Sequence, residues 1–316
     1  MGHNFLVTGG AGFIGSNLVA ALLERGDSVR VVDDFSTGRR ENLEGLDDRI
    51  ELVVGSLVES EVCRRAVADM DFVLHEAALA SVARSVDDPV SSDQANVGAT
   101  VRLLTAAREA RVRRFIYAAS SSAYGDVETP AKVETLTPQP KSPYAVSKLA
   151  GEYYCRAFHI VYGLETVALR YFNVFGPNQD PSSPYSAVIP LFVTAALDGR
   201  SPTIYGDGRQ SRDFSYVANV VHANLLACEA PERAVGEVIN VACGRSVDLL
   251  TLLQTVGRIL GTTVEPQFTP PRPGDVRHSL ADLTKARELL GYETVVPFEE
   301  GLERTIAWYR AHRDRW

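Results

Sequence analysis

The sequence predicts an α/β protein: a doubly wound parallel β-sheet with a smaller mixed lobe built on its C-terminal side. Two observations point there. Short runs of Val, Ile, Leu and Phe alternate with longer helical patterns up to Arg170, and the runs show little polar alternation, as parallel strands buried on both faces do. After Asn173 the character changes to Pro-, Gly- and Ser-rich loops such as Gly176-Pro177-Asn178 and Gly206-Asp207-Gly208.

The elements follow in order. Asn4–Thr8 reads as a strand and Phe13–Arg25 as a helix. Ser28–Asp33, Ile50–Val54 and Phe72–Glu76 are further strands, with a long helix after Pro89. Arg114–Ala119 is the next strand, Pro143 to Tyr162 a helix, and Glu165–Arg170 another strand. Val238–Val241 reads as a strand that returns to the sheet. Repetition of strand, helix and strand requires right-handed crossovers and one open sheet.

Composition narrows the function. The chain has 316 residues, 45% hydrophobic and 23% charged, enough to bury a large core without disulfides or a structural metal. Its net charge of −8 lacks the footprint of a nucleic-acid binder. Cys63, Cys155, Cys228 and Cys243 have no C-x-x-C spacing, so neither a zinc site nor a disulfide framework is expected. Scattered free cysteines fit a cytoplasmic protein. The N-terminus enters a strand at once, with no leader pattern, and the longest apolar stretch, Ala187 to Leu197, is too short to span a bilayer.

The first chemistry-bearing motif closes strand one. Gly9, Gly12 and Gly15 are spaced G-x-x-G-x-x-G between a strand and a helix. Such a turn lets backbone N–H groups approach a pyrophosphate at a helix N-terminus. Strand two ends in Asp33-Asp34, 18 residues past Gly15. A carboxylate there accepts hydrogen bonds from an adenine-ribose diol. Two adjacent acids repel a 2′-phosphate, so NAD is expected rather than NADP. Arg39 and Arg40 fit a solvated helix start.

The second motif is Tyr144 and Lys148, four apart on one helix face. A phenol is a poor base near neutrality, but a nearby ammonium and a cationic nicotinamide both favour the phenolate. Ser120, Ser121 and Ser122 end the preceding strand, at the carboxyl edge where open α/β sheets bind ligands.

Together, Thr8-Gly9-Gly10-Ala11-Gly12-Phe13-Ile14-Gly15, Ser120 to Gly125, the Tyr144/Lys148 pair and Arg170-Tyr171-Phe172-Asn173-Val174-Phe175-Gly176-Pro177 resemble the extended short-chain dehydrogenase/reductases. Within them the whole chain resembles nucleotide-sugar 4-epimerases. The resemblance implies a Rossmann-like NAD domain over 1–173, to which 213–245 partly returns. It implies a UDP-sugar lobe over 174–316, and a homodimer built from two helices per subunit.

Site roles follow from the same resemblance. Ser120, Tyr144 and Lys148 are the implied catalytic residues, with Tyr144 taking the sugar 4-OH proton. The implied NAD contacts are Gly9, Gly12, Phe13, Ile14, Gly15, Asp33, Asp34, Thr37, Gly38, Leu57, Ala77, Ala78, Asn96 and Phe172, beside Tyr144 and Lys148. Ser56 stands where the family often has an adenine-contacting Asp. Ser121 and Ser122 replace the carboxylates that related dehydratases and decarboxylases carry, which disfavours those reactions. The implied UDP-sugar contacts are Ser121, Ser122, Asn173, Val188, Thr203, Tyr205, Arg212, Arg272, Asp275 and Ser279. Arginines suit phosphate because they donate paired hydrogen bonds. Ser279 aligns with a position that is a bulky tyrosine in enzymes restricted to glucose and galactose, so a serine leaves room for an acetamido group. The expected substrates are UDP-GlcNAc and UDP-GalNAc, with UDP-Glc and UDP-Gal also open. A UDP-glucuronate epimerase, another nucleotide-sugar enzyme or a non-catalytic NAD sensor are the competing readings.

Overall fold

The computed structural model describes residues 2–182, 187–271 and 277–316. The expected sheet is there. Strands β1 (Asn4–Thr8), β2 (Ser28–Asp33), β3 (Ile50–Val54), β4 (Phe72–His75), β5 (Arg114–Ser120) and β6 (Glu165–Tyr171) pair in parallel. Short strands β7 (Val174–Phe175), β8 (Thr203–Tyr205), β9 (Ser211–Asp213) and β10 (Ser215–Tyr216) follow in the smaller lobe. Then β11 (Val238–Val241) returns and adds to β6, giving the seven-strand order β11-β6-β5-β4-β1-β2-β3. The direction of winding reverses between β1 and β4, which opens a crevice at their carboxyl ends.

Both faces of the sheet are covered because successive strand residues point to opposite sides. Val7, Val31, Leu74 and Leu169 face one layer, where α1 (Phe13–Glu24) supplies Leu18 and Leu22 and α8 (Val217–Glu229) supplies Val220 and Ala227. Leu6, Val32, Val73 and Phe115 face the other layer, with Cys63, Leu103, Leu104 and Cys155 from its helices. Those helices are α2 (Ser60–Val67), α5 (Ala99–Glu109) and α6 (Pro143–Tyr162). A third core of Phe175, Phe192, Ile204, Phe214, Leu252 and Leu302 belongs to the smaller lobe. That lobe carries α7 (Val188–Leu197), α9 (Leu249–Leu260) and α11 (Phe298–Ala311), with two-stranded pairings of β7, β8 and β9 with β10, β13 (Gln267–Thr269) and β12 (Ser246–Asp248) respectively.

Two helices matter most for the site. In α6, the Ser142 side chain accepts the Ala145 N–H, Pro143 opens the first turn and Gly163 closes the helix in a left-handed conformation. These local signals fix where Tyr144 and Lys148 sit along the chain. The segment after Pro89 is not one continuous helix as expected. It runs as α4 (Pro89–Asp93), a π-type turn at Gln94–Gly98, then α5. The wide turn carries Ala95 on the crevice wall and Asn96 behind it. Cys63, Cys155, Cys228 and Cys243 are free thiols. Among the described residues no helix is long and apolar enough to cross a membrane, and no group of three metal-ligating side chains forms.

Candidate active site

A cavity of about 310 Å³ lies at the carboxyl ends of β1 to β4. Gly9, Gly12, Phe13, Ile14, Gly15, Asp33, Asp34, Thr37, Gly38, Ser56, Leu57, Ala77 and Ala78 all line it. Glycine is required at the turn. Gly9 has φ +65°, and a Cβ there would stand 2.8 Å from the Ala77 Cα. A Cβ on Gly15 would lie 2.2 Å from the Gly9 carbonyl oxygen. Helix α1 starts behind Gly12 with no side-chain cap, so its first N–H groups and dipole suit an anion.

Asp33 is held in place from two sides. Its Oδ2 accepts the Ala11 N–H at 2.9 Å and its Oδ1 accepts the Phe35 N–H at 2.8 Å. Burial pushes its pKa up, and these two bonds offset part of that. Phe35 adopts φ +57°, a strained conformation for a bulky residue, at the rim beside the two acids. The donor-lined glycine turn, the anchored acid and the cavity between them fit a dinucleotide.

Arg39 also lines this cavity but is engaged elsewhere: it donates to Asp180 Oδ2 at 2.7 Å and to the Arg315 carbonyl at 2.9 Å. Arg40 lies over the Phe35 ring. Four expected contacts, Asn96, Tyr144, Lys148 and Phe172, are not on the cavity wall. Asn96 is buried and acts as a bracket: its Oδ1 accepts the Leu79 N–H and its Nδ2 donates to Ser147 Oγ. Phe172 is fully buried in the core beside Tyr124. Sequence reading missed Asn178 and Asp180, which reach the cavity from the loop after Gly176. Their signal was the Gly176-Pro177 turn itself. Asn17 donates to the Pro177 carbonyl and Asn178 to Ser16 Oγ, so α1 holds that loop.

The Tyr144 hydroxyl is hydrogen-bonded to Ser120. Ser120 Oγ also accepts the Ser122 N–H, and the two serine hydroxyls lie 2.9 Å apart. Burial pushes the Tyr144 pKa above its ordinary value; the Ser120 bond lowers it in part and the charge of Glu76 raises it. Lys148, expected to favour the phenolate, is buried and donates from Nζ to the Ala118 carbonyl at 2.8 Å. Burial lowers its pKa to about 8, against the opposing pull of Glu76 and other neighbours. Glu76 lines the cavity and accepts the Tyr171 hydroxyl at 2.8 Å. His75 beside it stays neutral: burial drops its pKa to about 3, and its ring bonds Thr8 and Thr100.

A second cavity of about 250 Å³ lies in the smaller lobe. Asn173, Val188, Thr203, Tyr205 and Arg212 line it, with Phe175, Ile189, Phe192, Phe214 and Leu249 as apolar walls. Asn173 holds the left-handed φ of +32° that asparagine tolerates better than most residues. Gln210, not singled out from sequence, is on the same wall and donates to the Tyr205 carbonyl. Ser121, Ser122 and Ser279 are not on it. The Ser279 N–H donates to the Ser211 carbonyl at 3.1 Å, in a short pairing next to β9. Arg272 and Asp275 lie outside the described residues.

Residues 5–242 match the family described as NAD dependent epimerase/dehydratase. A UDP-glucose 4-epimerase of Mycolicibacterium smegmatis is 39% identical over 96% of this chain and 98% of its own length. The fold is also similar to the UDP-N-acetylglucosamine 4-epimerase of Methanobrevibacter ruminantium, solved with UDP-N-acetylmuramic acid: 40% identity, TM-score 0.94, 98% of this chain and 99% of that one. A UDP-glucose 4-epimerase of Thermotoga maritima, solved with UDP-glucose, gives 40% identity and TM-score 0.92 over 98% and 99% of the chains.

Proposed function

The chain belongs to the NAD dependent epimerase/dehydratase family, among the UDP-sugar 4-epimerases, and from that premise we propose that it interconverts UDP-GlcNAc and UDP-GalNAc at C4 through a 4-keto sugar. The observation that carries the reading is the Tyr144–Ser120 hydrogen bond at the carboxyl edge of β5, with serines rather than carboxylates at 121 and 122. A dehydratase needs an acid and base there to expel water; an epimerase needs only a proton acceptor and a hydrogen carrier.

Bound NAD supplies the reversible acceptor for the C4 hydrogen. The glycine turn and the α1 N-terminus would hold its pyrophosphate, and Asp33 its adenine ribose. Tyr144 takes the proton from the 4-hydroxyl while Ser120 hydrogen-bonds that oxygen. Lys148 would hold the nicotinamide ribose, and its charge would favour the phenolate. Arg212, on the second cavity, would bind the UDP diphosphate and keep the substrate tethered while the sugar turns its other face. Tyr144 then gives the proton back to that oxygen, and the interconversion carries no net redox. Serine at 279 supports the acetylated pair, and the relatives named for UDP-glucose keep the free hexoses as further substrates.

Purified protein incubated with UDP-GlcNAc is expected to yield UDP-GalNAc, read by chromatography or proton NMR, with no net change in NADH absorbance. UDP-Glc tested alongside ranks the two sugars. Failure to form a C4 epimer of any UDP-hexose by NAD-loaded protein overturns the assignment.

The partner we propose is a second copy of the chain. Val146, Tyr153 and Ile160 repeat every seven residues along α6 and are exposed, with Val161 beside them. Helices α3 (Val82–Asp87) and α4 pack on α6 and expose Val82, Val86 and Val90 at four-residue spacing. Pairing two such faces buries an apolar seam that water would otherwise cover. Light scattering is expected to give twice 34.4 kDa, and Ile160→Glu to shift the protein toward a single copy.

A further inference from the structure

Lys148 sits in an interior that tolerates no unbalanced charge, and two carboxylates act on it: Glu152 from its own helix and Glu76 from the end of β4. Glu152 is already matched. Its two oxygens accept from Arg170 Nε and Nη2 at 2.8 and 2.7 Å, an ion pair buried on both sides. Among the described residues Glu76 forms no ion pair of its own. Its hydrogen-bond partner is the neutral Tyr171 hydroxyl, which in turn accepts from Asn224 Nδ2 at 2.8 Å. That relay from β6 and α8 fixes the carboxyl on the cavity wall, next to His75, which pairs across the sheet with Tyr117, the residue before the Ala118 whose carbonyl accepts from Lys148 Nζ; from there its charge acts on both Tyr144 and Lys148.

We propose that Glu76 is the counter-charge of Lys148, a positioning residue that keeps the proton-transfer pair electrically balanced through both halves of the turnover. The inference rests on the reading of Tyr144 and Lys148 given above. In the first half Tyr144 gains a proton while a bound nicotinamide would take up a hydride, and in the second half Tyr144 gives the proton back while the hydride would return, so in each half the two charge changes are equal and opposite. Those two changes cancel. The ammonium of Lys148 remains throughout, and Glu76 cancels it.

The titratable neighbours are few. Tyr171 and Cys228 face the relay from β6 and α8, Tyr144 and Lys148 face it from α6, and Glu152 and Cys155 act on Lys148 from the same helix. On β4, His75 is turned to Thr8 and Thr100 and stays neutral. Burial raises the Glu76 pKa, and the Tyr171 hydroxyl and the Lys148 ammonium pull it back down. A negative charge raises the pKa of every group beside it. Removing it lowers both the Tyr144 and the Lys148 values.

Glu76→Gln keeps the shape and an oxygen to accept from Tyr171, and loses only the charge. In the NAD-loaded enzyme, both limbs of the kcat pH profile are expected to move toward acid, by roughly one pH unit. The limb set by phenolate formation and the limb set by loss of the ammonium move together. A second readout needs no turnover. The near-ultraviolet phenolate titration of wild type minus Tyr144→Phe reports Tyr144 directly, and the same difference in the Glu76→Gln background is expected at lower pH. Tyr171→Phe, which withdraws the donor and favours a protonated Glu76, is expected to shift the midpoint the same way and by less. Unmoved midpoints in Glu76→Gln, or a uniform loss of kcat at every pH, overturn the proposal and reduce Glu76 to an anchor for Tyr171. Failure of the underlying reading looks different: Tyr144→Phe itself would remain active.

Discussion

Tyr144→Phe is expected to cut turnover of the UDP-sugar by about 10³-fold or more, with little change in the affinity for UDP. General-base catalysis contributes roughly 10²- to 10⁴-fold, and this phenol is the group poised to receive the 4-hydroxyl proton. The ring itself is half-buried on the first turn of α6, so phenylalanine fills the same space and the helix caps are untouched. Ser120 loses one partner but keeps its bonds from Ser122. The UDP arm is served by the second cavity, whose wall does not include Tyr144. Steady-state rates together with calorimetric titration of UDP separate the two terms. A variant with wild-type rates would remove Tyr144 from the reaction, and a variant that also loses UDP would show that the substitution disturbs more than the proton.

Arg170→Met is expected to destabilise the fold by about 3–5 kcal/mol, the largest single-site stability effect we anticipate. Arg170 and Glu152 have side chains only 4% and 3% exposed. Removing the guanidinium leaves a buried carboxylate without its hydrogen-bonded ion-pair partner. It also removes the cation 4.5 Å above the Tyr124 ring. Urea denaturation measures the loss. The double variant Arg170→Met/Glu152→Gln is expected to recover part of it, because the stranded charge is gone. Equal destabilisation in the single and double variants would mean that packing, not charge, is what Arg170 provides.

The parts of this molecule that were legible in the sequence are those governed by local rules. Strand β1, the glycine turn and the acids at the end of β2 lie within 34 residues, and their meaning depends on backbone conformation and spacing alone. The span of α6 from Pro143 to Tyr162 was legible for the same reason. What spacing could not convey is where a side chain turns once several elements close around it. Lys148 shares a helix face with Tyr144, yet its ammonium is directed to the Ala118 carbonyl on β5. Glu76 looks from sequence like one more strand residue, and only the Tyr171 hydroxyl from β6 decides its direction. The π-type turn at Gln94–Gly98 escaped because its sequence is ordinary helix former on both sides. The apolar wall formed by Ile189, Phe192 and Leu249 brings together two helices and a short-strand lobe that no periodicity links.

The return of β11 to β6 has a consequence for synthesis of the chain. When Tyr171 leaves the ribosome, six strands of the main sheet have been made, but the outer edge of β6 waits for residues 238–241. Translation at about 5–20 residues per second leaves that edge without its neighbour for several seconds. An open, apolar parallel edge is a template for pairing with another chain. Crowded polysomes translating this message would therefore be most prone to tangle during one short window, and a holdase that shields a nascent strand would be needed then more than at any later time.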